Sequence, residues 1–165
     1  MASGTVLADG DLRLRPVSLP GDAARALPWY RDPEVMWLSE GDAAARYDAA
    51  MISSMYRYLL ERGEAYIVEI RAAEAWVALG DAALCTDCIP IVIGVPEHRS
   101  RGLGSRVLRL LVTRARALGW RRIRVKGVYT YNPRTRRLYE RAGFRLTGLR
   151  PAQGGQDAWT FDLLL

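Results

Sequence analysis

The sequence predicts an α/β domain built on a mixed β-sheet, and three observations carry that prediction. Runs in which apolar residues alternate or cluster, the mark of strands, are interleaved with runs repeating apolar residues at i, i+3, i+4 and i+7, the mark of amphipathic helices. The breaks between them hold helix punctuation: Asp32-Pro33 and Asn132-Pro133 each pair an N-cap with a first-turn proline, while Gly63, Gly119 and Gly143 follow helical runs. The 165 residues, half of them apolar, are enough to bury a sizeable core, so one domain over residues 1–165 is expected.

In chain order, residues 12–17 alternate apolar and charged, a half-buried first strand. Pro20-Gly21-Asp22 breaks it and opens a short helix over 23–27, and Asp32-Pro33 opens a second. Trp29, Tyr30 and Trp37 gather around that point, where they serve as core or as the wall of a cleft. Residues 43–62 form a longer helix with Ile52, Met55, Tyr56 and Leu59 on one face and Gly63 as C-cap. Residues 66–70 and 76–84 read as strands. The apolar run 89–95 is a third, its composition pointing to burial on both faces and its Gly94 to a bulge or a close approach. A helix follows to Leu118, then a strand over 122–129, a helix over 133–142 and two last strands, 144–149 and 158–165.

Charge is divided along the chain. Residues 1–90 hold 8 arginines and 14 acids; residues 91–165 hold 16 basic residues and 4 acids. The second half should attract an anion and the first should tolerate a cation. Nucleic acid is not the expected partner, because the arginines are spread over every kind of element and match no nucleic-acid-binding motif. No run approaches the roughly 18 apolar residues of a membrane span, and the N-terminus lacks a basic-then-apolar leader. A soluble, cytoplasmic protein without a membrane partner is expected. The pair Cys85 and Cys88, with His98 as the sole histidine, is too few ligands for zinc, so no metal is expected.

The stretch 89–118 carries the chemistry. An apolar strand ends at Pro96, a basic glycine loop with Arg99, Arg101, Gly102 and Gly104 follows, and an amphipathic helix begins. That order aims backbone N–H groups and a positive helix end at phosphate oxygens, with Arg99, Arg101 and Arg106 as charged donors. A dinucleotide fold fits poorly: Val107 stands where the third fingerprint glycine belongs, and Trp120-Arg121-Arg122 where the ribose-binding acid is expected.

The run RSRGLG at 99–104 resembles the Q/R-x-x-G-x-G/A motif of the GCN5-related N-acetyltransferases (GNAT). The run NPRTRRLYERAGF at 132–144 is similar to the family's second signature. The resemblance implies a sheet of about seven strands, splayed in the middle and flanked by about four helices. It also implies acetyl-CoA as co-substrate: backbone at Ile93, Gly94 and Val95 would pair with the pantetheine arm. The loop and helix start formed by Arg101, Gly102, Leu103, Gly104, Ser105 and Arg106 would cradle the pyrophosphate beside Arg99, with Asn132 touching the cofactor. Tyr139 occupies the family's usual acid position beside the thiol.

Direct transfer to an amine needs a base, an oxyanion donor and an acid for the thiolate. Backbone N–H at residues 93–95 is the oxyanion candidate. The family often places a carboxylate on the strand before the loop, and here that strand has none. Asp81, Glu69 and Asp87 are therefore the base candidates, Asp81 first, with desolvation of the amine alone as the alternative. The expected acceptor is a primary amine, cationic in water, that enters over the acid-rich half near Asp32, Glu34, Glu40 and Asp42. Aminoglycoside 6′-N-acetyltransferases and protein N-terminal acetyltransferases of the RimJ/RimL type are both comparable. A non-catalytic acyl-CoA-binding module and an RNA- or ribosome-associated protein are the competing readings. Monomer and homodimer both remain open, with Leu163-Leu164-Leu165 as an interface or a buried last strand.

Overall fold

Alternation in LRLRP puts Leu12 and Leu14, fully buried, on one face of β2 (Leu12–Pro16) and Arg13 and Arg15 on the other, where both bond the carboxylate of Glu69. The computed structural model of the protein describes residues 4–165. A three-residue strand that the sequence pattern did not reveal, β1 (Leu7–Asp9), turns through Gly10 and pairs antiparallel with β2. Three residues are too few to show alternation.

Three helices follow: α1 (Gly21–Ala26), α2 (Pro33–Glu40) and α3 (Ala49–Arg62). Asp32 caps α2 as expected, its side chain accepting from the N–H groups of Glu34 and Val35. The third helix starts six residues later than expected. Asp42 instead caps a turn at Ala44, Arg46 donates to the carbonyls of Ala43 and Ala45, and Asp48 becomes the N-cap by accepting from Met51 N–H.

The chain then enters β3 (Gly63–Ala72) without a left-handed cap. Gly63 is extended (φ 171°) and is the first strand residue. Its role is close approach, since a Cβ there would lie 2.0 Å from the Leu84 carbonyl oxygen. Backbone cannot swing away from such a clash. Gly63→Ala is expected to cost about 1–3 kcal/mol, read as a lowered midpoint in denaturant with unchanged m.

β3 pairs with β4 (Ala75–Cys85), and β4 with β5 (Ile91–Ile93), completing a five-stranded sheet in the order β1-β2-β3-β4-β5. After α4 (Leu103–Ala117) come β6 (Arg122–Tyr129), α5 (Pro133–Arg141), β7 (Arg145–Pro151) and β8 (Asp157–Leu164), which form a separate sheet in the order β6-β8-β7. Among the described residues the fold is thus eight strands in an α/β sheet open between β5 and β6, with five α-helices around it. Every ladder is antiparallel, and the crossover β5–α4–β6 spans the opening.

Period-two burial in β3 divides the interior. Tyr66 and Val68 join a large cluster with Val107 and Leu111 of α4 and Val125 and Phe161 of the second sheet; Ile67 faces the other way, into Met36, Ile52 and Tyr56 of α2 and α3. Leu163 is core and Leu164 points to solvent, so the last leucines belong to a strand with one buried face.

The run 89–95 departs from expectation. Only 91–93 is strand, and its residues are half-buried. Pro90 has no N–H to extend the ladder, and the N–H groups of Gly94 and Val95 both bond the Leu79 carbonyl, a bulge. The apolar character of β5 serves a cavity wall on one side and the core on the other.

Candidate active site

Where the two sheets part there is a cavity of about 690 Å³. One flank is supplied by β5, the loop 98–105, the start of α4, and α5. The other is supplied by α2, α3 and the end of β6.

The start of α4 has no side-chain cap. Gly102, at φ 78°, is the N-cap and offers no side chain to its own helix. The N–H groups of Leu103, Gly104 and Ser105 are therefore left for a ligand at the positive end of a 15-residue helix. Gly104 has Leu138 of α5 3.6 Å from the position of a Cβ, so helix and cavity wall approach closely there.

Ladder alternation decides which backbone groups of β5 face the opening. Bonds Ala83 N–H to Pro90 O and Gly94 N–H to Leu79 O mark the narrow pairs, so Val92 faces β4 while Ile91 and Ile93 face away from it, into the gap. Of the three residues expected to present backbone here, Gly94 and Val95 have their N–H groups engaged and Ile93 has its N–H free of the ladder. Gly94 is required by packing, because a Cβ would sit 2.1 Å from the ring of Trp29.

The arginines differ from one another. Arg99 Nε donates to the Ile93 carbonyl at 2.8 Å, and its terminal nitrogens reach Asp32 at 3.0 Å and Glu34 at 2.8 Å, strapping α2 to the glycine loop. Arg106 is held by Asp9 and Asp11 of the first hairpin. Both shape the loop from within. Arg101 makes no ion pair among the described residues, and Arg134 and Arg141, which the sequence reading did not single out, line the cavity from α5.

The three base candidates separate cleanly. Glu69 is 5% exposed and clamped by Arg13 and Arg15, away from the cavity. Asp87 lies in an exposed turn, 3.3 Å from the ammonium of Lys126. Only Asp81, also 5% exposed, lines the cavity. Its Oδ2 accepts from the Tyr56 hydroxyl at 2.6 Å and the Tyr30 hydroxyl at 2.9 Å. Burial pushes its pKa up to about 6, against the two phenol bonds that hold it down. Burial, and then the Asp81 charge, push both phenols far above their ordinary range, so they stay protonated as donors. Of the two tyrosines, Tyr56 was legible only as a core position, and Tyr30 as core or cleft wall.

Tyr139 is buried and lines the cavity; its hydroxyl donates to the Ile89 carbonyl at 3.0 Å. Burial raises its pKa, which keeps the proton on the phenol at neutral pH. Asn132 caps α5 by accepting from Thr135 N–H, and its amide lies at the cavity wall. His98 lines the same cavity near the loop. Cys85 is buried with its thiol toward the Leu59 carbonyl, and Cys88 closes the turn before β5. Of the aromatic cluster, Tyr30 lines the cavity, Trp29 packs behind Gly94, and Trp37 stacks on Tyr131 at 4.3 Å outside it.

The two sheets thus part between β5 and β6, with an uncapped helix start beside the gap and a buried carboxylate within it. A sequence model of the acetyltransferase (GNAT) domain matches residues 11–145, and the chain belongs to that family. No curated protein sequence is significantly similar to it. Among solved structures it is similar to spermidine N-acetyltransferase from Vibrio cholerae in complex with CoA and spermine (19% identity, 94% of this chain and 96% of that one, TM-score 0.76). It is also similar to the aminoglycoside acetyltransferase AAC(6′)-Ib with coenzyme A and kanamycin (18%, 93% and 94%, TM-score 0.74). A third is RimL, a ribosomal L7/L12 alpha-N-protein acetyltransferase with coenzyme A (13%, 98% and 98%, TM-score 0.77). At these identities the likeness is one of fold.

Proposed function

We propose that the protein transfers the acetyl group of acetyl-CoA directly to a primary amine. The carrying observation is that one cavity joins the uncapped start of α4 to Asp81, past the free edge of β5. The residues fit this co-substrate. N–H groups of Leu103, Gly104 and Ser105 suit its pyrophosphate; the Ile91–Ile93 edge suits the amides of its pantetheine arm; Asn132 has an amide at the wall. Acetyl-CoA, when bound, supplies the activated acyl group.

Asp81 takes the proton that the amine must lose, directly or through the phenols bonded to it. Ile93 N–H stabilises negative charge developing on the thioester oxygen. The Tyr139 hydroxyl turns from the Ile89 carbonyl to protonate the departing sulfur. The new C–N bond and the broken C–S bond leave an amide and free CoA. The neighbours with spermine, kanamycin or a ribosomal protein α-amine as acceptor support an amine here.

Thiol release from acetyl-CoA across a panel of amines tests the reading; tight CoA binding with no release from any amine would leave a binding module instead. In the same assay Tyr139→Phe is expected to lower turnover about tenfold or more with little change in acetyl-CoA affinity. Unchanged turnover would remove Tyr139 from the mechanism.

A further inference from the structure

The turn between β4 and β5 holds the only two thiols of the chain, Cys85 and Cys88, and the transfer reading uses neither. Cys85 N–H donates to the Cys88 carbonyl at 3.0 Å, and Ala83 N–H to the Pro90 carbonyl at 3.0 Å. These bonds mark hydrogen-bonded pairs of one antiparallel hairpin, with Cys85 directly opposite Cys88 across Thr86 and Asp87. Residues so placed point to the same face. Both side chains do meet one small cluster, Cys85 beside Ala65 and Ala83 with Cys88 packed against them. The Cα atoms of such a pair lie about 5.5 Å apart, inside the roughly 4.4–6.8 Å that a disulfide bridges. Both cysteines are free thiols in the structure.

The two thiols differ in what can reach them. Cys85 is fully buried and Cys88 is half-buried. The Cys85 thiol proton has two acceptors in reach, the Leu59 carbonyl oxygen at 3.7 Å and the Cys88 sulfur. Donation to Cys88 holds that thiol below its ordinary range, and the same contact, with burial after it, pushes the Cys85 thiol up. A small disulfide therefore meets Cys88 first, as the better nucleophile, and Cys85 only through it. The turn also adjoins the transfer machinery. Ile89, the residue after Cys88, is buried, and its carbonyl accepts from the Tyr139 hydroxyl at 3.0 Å. Burial, and after it the Cys88 sulfur, push that phenol up, so the sulfur is felt at Tyr139.

We propose that Cys85 and Cys88 are a thiol–disulfide exchange site, closed by a low-molecular-weight disulfide, and that closing it shifts the Ile89 carbonyl and with it Tyr139. The Cys88 thiolate bonds one sulfur of the small disulfide, whose S–S bond breaks and whose other half leaves as a thiolate. Cys85 then bonds the Cys88 sulfur and expels the second half. Two protein thiols are oxidised, the small disulfide is reduced to two thiols, and the cysteines' protons end on those departing sulfurs. The loop closed is residues 85–88 alone, so the bridge removes little chain entropy and adds little stability. It is a reversible device, not a staple. Bonding brings the sulfurs to about 2.05 Å and tightens the turn, and a single peptide link carries that shift from Cys88 to Ile89. The effect on Tyr139 rests on the acetyl-transfer reading above; the exchange itself does not.

The full chain is treated with oxidised glutathione and desalted, and its intact mass and free thiols are read. Wild type is expected to lose the mass of two hydrogens and both thiols, to keep no glutathione, and to recover in dithiothreitol. Cys85→Ala is expected to stop at one glutathione on Cys88, and Cys88→Ser to gain nothing. Untouched thiols, glutathione retained on wild type, or a bridge between two chains overturns the exchange site. Turnover is followed by the mass of the acetylated amine, since a thiol-reactive dye would itself modify Cys88. Oxidation is expected to lower wild-type kcat by about threefold or more, part of what losing the acid altogether removes, and to leave Tyr139→Phe and Cys88→Ser unchanged. An equal loss in Tyr139→Phe, or no loss in wild type, overturns the link to Tyr139. If no amine is acetylated although CoA binds, the transfer reading has failed, while mass and thiol content still decide the exchange site. Hydrogen exchange over residues 89–93 then reads the shift, and identical exchange in the two redox states counts against it.

Discussion

Asp81→Asn is expected to lower kcat/KM by about 100-fold or more, the span of a general base, while CoA affinity stays within about twofold. The carboxylate is the only acid of the three candidates that reaches the cavity, and its two phenol partners already fix its orientation. The pH profile supplies the sign. A base with its pKa pushed up to about 6 is protonated below that value, so wild-type kcat/KM should rise with pH through about 6 and level above it. The asparagine variant should lose that limb along with its rate. Tyr56→Phe removes one of the bonds that hold the carboxylate down, so its acid limb should move to higher pH. A variant at Asp81 with near wild-type rates would mean that the amine sheds its proton through desolvation alone. Stability is linked to the same group. An aspartate ordinarily near 3.9 and raised to about 6 on folding adds stability that is full below about pH 4 and lost as pH rises through about 6. The folded state carries a charge cost at neutral pH that the chemistry uses.

What the sequence disclosed and what it hid follow one physical line. Short-range devices were legible. Asp32-Pro33 and Asn132-Pro133 do open helices with their side chains capping, the glycine loop does lead into the helix α4, and the two signatures flank one cavity. Long-range pairings were not. Arg106 meets Asp9 and Asp11 across 97 and 95 residues, and Arg99 meets Asp32 and Glu34 across 67 and 65. Counting charge along the chain therefore separated two halves that the fold brings together and neutralises. Tyr56 shows the same limit in one side chain. Its helical spacing places it in the core, correctly, but only the register of α3 against β4 turns its hydroxyl onto Asp81, 25 residues on. Gly63 had the right position for a C-cap, and only the neighbouring strand shows that its missing Cβ is needed for close approach.

Glu69 is the mirror of Asp81, and Glu69→Ala is expected to reverse the pattern: about 2–3 kcal/mol less stable, with kcat/KM per folded molecule within about twofold of wild type. Both are acids on adjacent strands with the same exposure. Glu69 faces Arg13 and Arg15 of β2, and Arg15 continues to Asp22 at 2.7 Å, so one carboxylate ties the strand pair to the helix α1. Removing it leaves two guanidiniums without their shared anion. They keep a route to water, which holds the loss below the full penalty for stranding a buried charge. In a chain of this length the midpoint of thermal unfolding should fall by about 4–12 °C. Asp22 adds a test in acid. Burial pushes its carboxyl up, but Arg15, Ser18 N–H and Arg25 together hold it below the ordinary aspartate range. Its contribution is then present above about pH 3.9 and lost as pH falls further. The Glu69→Ala protein should therefore meet its acid transition at higher pH than wild type does. Loss of activity without loss of stability at Glu69 would place that carboxylate in the chemistry and overturn the division between the two acids.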